Sequence, residues 1–225
     1  MVTTIPDRLA PCAEDQCVEW HGLDWKGYVT MLRLRGERHI PRMIYLDGSL
    51  YLVTTSFPHE RLAERLGLFV MEIVVGLDIP CVPAGQTTFR KREKRGGVEG
   101  DKTFYLGNEA RVRGKDKIDL RVDPPPDLAI EAVRTHAATA AVEVYCRLEV
   151  PEVWVCDDKR FRILVRQANG YYAEAEASAA FPFLAPGEID EWVRRPQTVP
   201  ETEWLKEVRR WVRDTLPARL RGQGG

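Results

Sequence analysis

Leu62, Leu66, Phe69, Val70, Ile73, Val74 and Leu77 recur at spacings of three and four, and this stripe constrains the fold more than any other feature of the chain. It defines one long helix with a wide apolar face, which a second layer must cover. Ser56 can cap its start and Pro58 suits its first turn. Upstream, a shorter helix is expected from the N-cap Asp24 to a stop at Gly36, followed by β-runs over Ile40–Leu46 and Leu50–Thr54. Asp47-Gly48 between those runs is a strong hairpin signal. Downstream, the pattern is β-like from Val82 to Phe89, polar and Gly-rich over Lys94–Gly100, and β-like again over Thr103–Leu106. Pro124-Pro125-Pro126 forces an extended approach to Asp127-Leu-Ala-Ile-Glu131-Ala-Val133, a short buried strand with an acid at its start and another near its end. A helix from about Thr135 to Glu149, strands at Glu152–Cys156, Phe161–Arg166 and Tyr171–Ala177, and helices near Ile189–Val193 and Glu201–Leu216 complete the pattern. Strands and helices alternate, so the class is α/β.

Length and charge narrow the possibilities further. At 225 residues the chain can bury one sizeable core, or two small ones at most. Glu72 interrupts its most apolar helix, so no membrane span is expected. The polar N-terminus lacks a signal-peptide core, and five irregularly spaced cysteines do not form a disulfide framework, so a reduced, cytoplasmic protein is expected. A formal net charge of −1 weighs against a generally basic nucleic-acid binder, so any electropositive surface must be local. The candidates are Arg90–Arg95 and the run Arg111, Arg113, Lys115, Lys117, both of which read as solvated loop charge.

Asp101 begins one β-run, Glu131 lies within the next, and Glu60 stands in the first turn of the long helix, where the helix dipole favours an acid. Two acids on adjacent strands, directed to one side, suffice to bind Mg²⁺, which takes oxygen ligands and keeps several waters. Taken alone, acids at strand ends are usually just solvated. Cys12, Cys17 and His21 are too loosely spaced, and lack a fourth ligand, to read as a zinc site. His59 reads as a surface hydrogen-bonder at a helix start, and Asp127 as the residue that fixes the turn after Pro126.

The stretch Gly97-Val-Glu99-Gly-Asp101-Lys-Thr-Phe104-Tyr105 resembles the G-x-E-P-D-x-x-F/Y segment of a bacterial restriction-endonuclease family within the PD-(D/E)XK nuclease superfamily. The likeness continues from Asn108 through Glu131, resumes at Val144-Tyr145 and Val150–Trp154, and extends upstream to Trp25–Leu34, His59-Glu60 and Thr87–Arg90. It implies a restriction-endonuclease-like core, a central mixed β-sheet flanked by helices, spanning residues 21–196. Residues 1–20 would be a loose arm, and 197–225 a C-terminal helix packed on the same domain. The resemblance makes Asp101 and Glu131 the catalytic metal-binding acids, with Glu60 completing the site, and implies Mg²⁺ or Mn²⁺ and a DNA substrate. A homodimer would suit cleavage of both strands.

Departures from the family pattern are equally informative. The lysine of (D/E)XK would stand at Val133, and the basic residue that often replaces it, four before the tyrosine, would stand at Ala141. Both positions lack a cation. Lys102, Arg134 and His136 are the nearby basic residues, and strand alternation sends Lys102 away from Asp101. The expected function is therefore a metal-dependent DNA endonuclease of weak activity. The competing reading is a catalytically degenerate nuclease fold that serves as a nucleic-acid-binding or protein-interaction module. An acidic-site hydrolase of another class has less support.

Overall fold

Each strand and helix must bury a face, and the computed structural model, which describes residues 14–133, 137–196 and 198–222, achieves this with two sheets rather than one. The chain begins with β1 (Gln16–Trp20), α1 (Trp25–Arg35), β2 (Arg42–Leu46), β3 (Ser49–Thr54) and α2 (Phe57–Gly76). Four short strands follow: β4 (Val82–Pro83), β5 (Thr88–Lys91), β6 (Gly96–Glu99) and β7 (Lys102–Tyr105). Then come α3 (Glu109–Val112), β8 (Leu128–Ala132), α4 (Ala137–Arg147), β9 (Glu152–Cys156), β10 (Phe161–Arg166) and β11 (Tyr172–Glu174). The chain closes with α5 (Pro186–Arg194) and α6 (Glu201–Gly222).

One sheet, in the order β1-β3-β2-β6-β5, is antiparallel throughout. Its hairpin β2–β3 pairs Leu46 with Ser49, and Asp47 and Gly48 both take positive φ (49° and 99°), the conformation a two-residue loop of this kind requires. The other sheet, in the order β11-β10-β9-β8-β7-β4, is mixed, because β8 and β9 run parallel around the α4 crossover. Two expectations change. Residues 16–20, read as part of a loose arm, pair with β3, and residues 96–99, read as loop, form β6 in register with β5. Gly-rich β6 gives little period-2 signal, and of its two partners β5 is joined to it by a short turn while β2 is distant in sequence. Cys12, Arg134 and His136 lie outside the described residues.

The mixed sheet carries a core on each face. On one face Leu128 and Ile130 of β8 meet Leu66, Phe69, Val70 and Ile73 of α2, with α5 and α6 behind them. On the other, Ala129, Val153 and Val155 meet Ala141, Val144 and Tyr145 of α4, together with Ile44 and Val98 from the antiparallel sheet. The long helix thus packs on a sheet in which β7 and β8 are neighbours, pairing Lys102 with Ile130. Gly100 and Asp101 are the link by which the chain passes from β6 in one sheet to β7 in the other.

Candidate functional site

Strand alternation sets Glu131 on the same face of β8 as Ala129, the face covered by α4. Its Oε1 accepts a hydrogen bond from the Tyr145 hydroxyl at 2.8 Å. Asp101 reaches this cluster from the link between the sheets. Its Oδ2 accepts from the Ala132 backbone N–H at 2.7 Å, and its Oδ1 contacts both His59 Nε2, at 2.8 Å, and Arg42 Nη1, at 2.5 Å. The same guanidinium nitrogen lies 3.9 Å from Glu131 Oε2. Two acids distant in sequence therefore share one cation.

That cation is the residue that sequence reasoning missed. Arg42 opens β2, is 4% exposed, and also donates to the Glu99 carbonyl at 3.4 Å. Nothing local marks it: it is a polar residue at the start of a β-run, joined to the acids only by the packing of the two sheets. His59 was also misread. Far from lying on the surface, it is 2% exposed and bridges Asp101 and Asp15, with Nδ1 2.7 Å from Asp15 Oδ2. The capped start of α2, where Ser56 Oγ accepts from the His59 N–H, fixes its position.

The other expected residues sort clearly. Glu60 bonds the Thr55 hydroxyl rather than either acid, but its charge helps stabilise the Arg42 cation. Lys102 points to the α2 side and pairs with Glu64, as alternation requires. Val133 is half-buried, and Ala141 is fully buried one turn before Tyr145. Asp127 fixes its turn, accepting from the Leu106 and Asn108 backbone N–H groups at 2.7 and 2.9 Å.

Electrostatics follows the geometry. Burial pushes the Asp101 carboxyl up, but Arg42, His59 and the Ala132 N–H outweigh it and hold it below the usual range. Burial, reinforced by the Asp101 charge, pushes Glu131 up to about 7. Burial disfavours a charged His59, yet the hydrogen bond and charge of Asp101 raise it overall.

Among the described residues no three His, Cys, Asp or Glu side chains converge in a metal-holding arrangement. The donor types nevertheless suit a hard divalent cation. Asp101 and Glu131 offer carboxylate oxygens, and the Arg42 contact to Glu131 Oε2 is long, at 3.9 Å. Arg42 Nε is buried without an acceptor. Two protein carboxylates can be enough for Mg²⁺, which keeps several waters, and Glu131 Oε2 is the one oxygen of this pair without a short contact.

One acid on a strand of the mixed sheet and one on the link between the two sheets, both in reach of a buried arginine, define the class of site. A model of the Uma2 family, described as "Putative restriction endonuclease", matches residues 28–195, and the chain belongs to that family. Among solved structures it is similar to a protein from Anabaena variabilis described as "a putative nuclease belonging to DUF820", with 11% identity and a TM-score of 0.45 over 76% of this chain and 92% of that one. No curated protein matches.

Proposed function

We propose that the chain is a metal-dependent endonuclease of low intrinsic rate that hydrolyses DNA phosphodiester bonds, with Asp101 and Glu131 as metal ligands and Glu60 as a third acid nearby. The observation that carries this reading is the shared guanidinium: a cation does reach the Asp101–Glu131 pair, although neither family position for a basic residue supplies one. A divalent ion bound by the two carboxylates would activate water and neutralise charge on the phosphorane-like transition state. Arg42 brings a fixed positive charge in a low-dielectric setting, and its free Nε can donate to a phosphate oxygen. Tyr145 orients Glu131, and His59, itself held by Asp15, orients Asp101. No helix among the described residues is long and apolar enough to cross a membrane, and the four described cysteines are free, which supports a cytoplasmic setting. Cleavage of both strands would use a two-fold homodimer.

Burial favours a second reading. Asp101, Glu131, Arg42 and His59 are each less than 5% exposed, as befits a closed counter-ion cluster in a nuclease fold retained for binding. Plasmid and single-strand cleavage assays with Mg²⁺ and with Mn²⁺ separate the two. The endonuclease reading expects slow, metal-dependent cleavage that Asp101→Asn abolishes without unfolding the chain. Activity no greater than that of Asp101→Asn, in a folded protein with either ion, would establish the closed-cluster reading.

A further inference from the structure

The two basic runs of the sequence do not behave as separate solvated loops. Arg90, Lys91 and Arg92, at the end of β5, and Lys117, in the segment after α3, line one cleft of about 790 Å³ together with Arg33 and Arg35 of α1. With Arg121, seven cations face two carboxylates, Glu93 and Asp119, and Arg121 already neutralises the second of these. This concentration stands out on a chain whose net charge is −1.

Most of these cations are uncommitted. Arg35 grips Glu99, but Arg33, Arg90, Lys91, Arg92 and Lys117 form no ion pair with a described carboxylate, and all of them except half-buried Lys91 are exposed. By contrast, Lys94, Arg95, Arg113 and Lys115, from the same two runs, pair with Glu149, Asp47, Glu109 and Asp123. Of the two runs, Arg90, Lys91, Arg92 and Lys117 are the unpaired cations that line the cleft, whereas Arg111, which contacts Asn108, lies outside it. Trp25, Val29 and Leu32 of α1, and Ile118 and Leu120 beside Lys117, add apolar surface to the lining. Arg35 ties the cleft to the acidic centre, because its partner Glu99 lies two residues before Asp101 and its Glu99 carbonyl accepts from Arg42.

We infer that this cleft binds the phosphate backbone of a polynucleotide and leads the strand toward the Asp101–Glu131 centre. The inference rests on the nuclease reading for its direction, and on the cleft's charge and mixed lining for its ligand. Unpaired cations beside apolar side chains and the Trp25 ring suit a polyanion carrying flat bases, since each backbone contact releases counterions and bases can lie against the apolar part of the lining.

The test is fluorescence anisotropy of a labelled DNA oligonucleotide, single-stranded and as its duplex, titrated in chelator across a range of salt concentrations. Arg90→Ala/Arg92→Ala/Lys117→Ala alters only exposed side chains, and thermal melting verifies its fold. Its log K against log salt should lose about 2–3 of slope relative to the natural protein, while Lys159→Ala/Arg210→Ala, on other faces, should leave the slope unchanged. The tighter of the two arms identifies the form of the strand that the cleft accepts. Absence of low-salt binding to either form, or equal loss in both variants, would overturn the cleft assignment. Cleavage undiminished in the cleft variant would overturn it too while leaving the nuclease reading intact. Cleft-dependent binding without any cleavage would do the reverse.

Discussion

Arg42, Asp101, Glu131, His59 and Asp15 form a buried charge network in which each member is tolerable only because the others are present. Taking a guanidinium and two carboxylates out of water costs several kcal/mol per ion, offset here by short contacts and by the Ala132 and Tyr145 hydrogen bonds. Removing one partner is therefore worse than removing a pair. Arg42→Met should destabilise the fold by about 3–5 kcal/mol, because it leaves Asp101 charged and short of a counter-ion. Adding Asp101→Asn to Arg42→Met should recover a large part of that loss. Urea unfolding of both single variants and the double variant gives the coupling, and strictly additive losses would contradict a shared network. The basic residue itself had no local signature, since β2 is simply a buried strand that begins with an arginine.

Two elements set the geometry of the centre, and both depend on close approach. Gly100 joins β6 to β7 where the family pattern has proline, and a Cβ there would collide with the Tyr145 hydroxyl and lie 3.0 Å from Glu131 Oε1. The glycine is a packing requirement: Tyr145 of α4 can press on the link between the sheets only if that link carries no side chain. Gly100→Ala should cost about 1–3 kcal/mol, as overpacked sites do, and should displace Tyr145 from Glu131. Differential scanning calorimetry reads the first effect, and tyrosine absorbance during alkaline titration reads the second. An unchanged melting temperature would mean that α4 does not press on the link. Helix α2 was legible because its period is local, and so were its Ser56 cap and its first-turn proline. That its first turn delivers His59 into the centre was not, because a histidine at a helix start carries the same sequence signal whether it is exposed or buried.

Across the whole molecule, α2 serves two surfaces at once: one face lies on the mixed sheet, and another receives α6. Trp204, Val208, Val212 and Leu216 of α6 are buried in that contact. Arg65 of α2 clamps it by bonding Glu201 and the Val193 and Arg195 carbonyls while its guanidinium lies 4.5 Å from the Trp204 ring centroid. At the far end, Gly76 comes so close that a Cβ there would lie 2.5 Å from Val212 Cγ1. Gly76→Ala should therefore cost about 1–3 kcal/mol in spite of alanine's better helix propensity. A rise in melting temperature would show that propensity, not the α6 contact, governs the position.

Local periodicity and turn chemistry by themselves determined the long helices, the Asp47-Gly48 hairpin and the α/β class, because each of these signals lies within a few neighbouring residues. Asp101 and Glu131, by contrast, became candidates through the family resemblance of the segments around them. Tertiary structure alone decided what those acids face. The sheet formed by β1, β3, β2, β6 and β5 carries Arg42 to residues 59 and 89 positions further along the chain, and no pattern within a single element encodes that contact. The same sheet, with α1, brings Arg90–Arg92 alongside Lys117 and turns two unremarkable charge runs into one basic cleft. Electrostatic partnership depends on distance in space, and distance in space is fixed by how the layers stack.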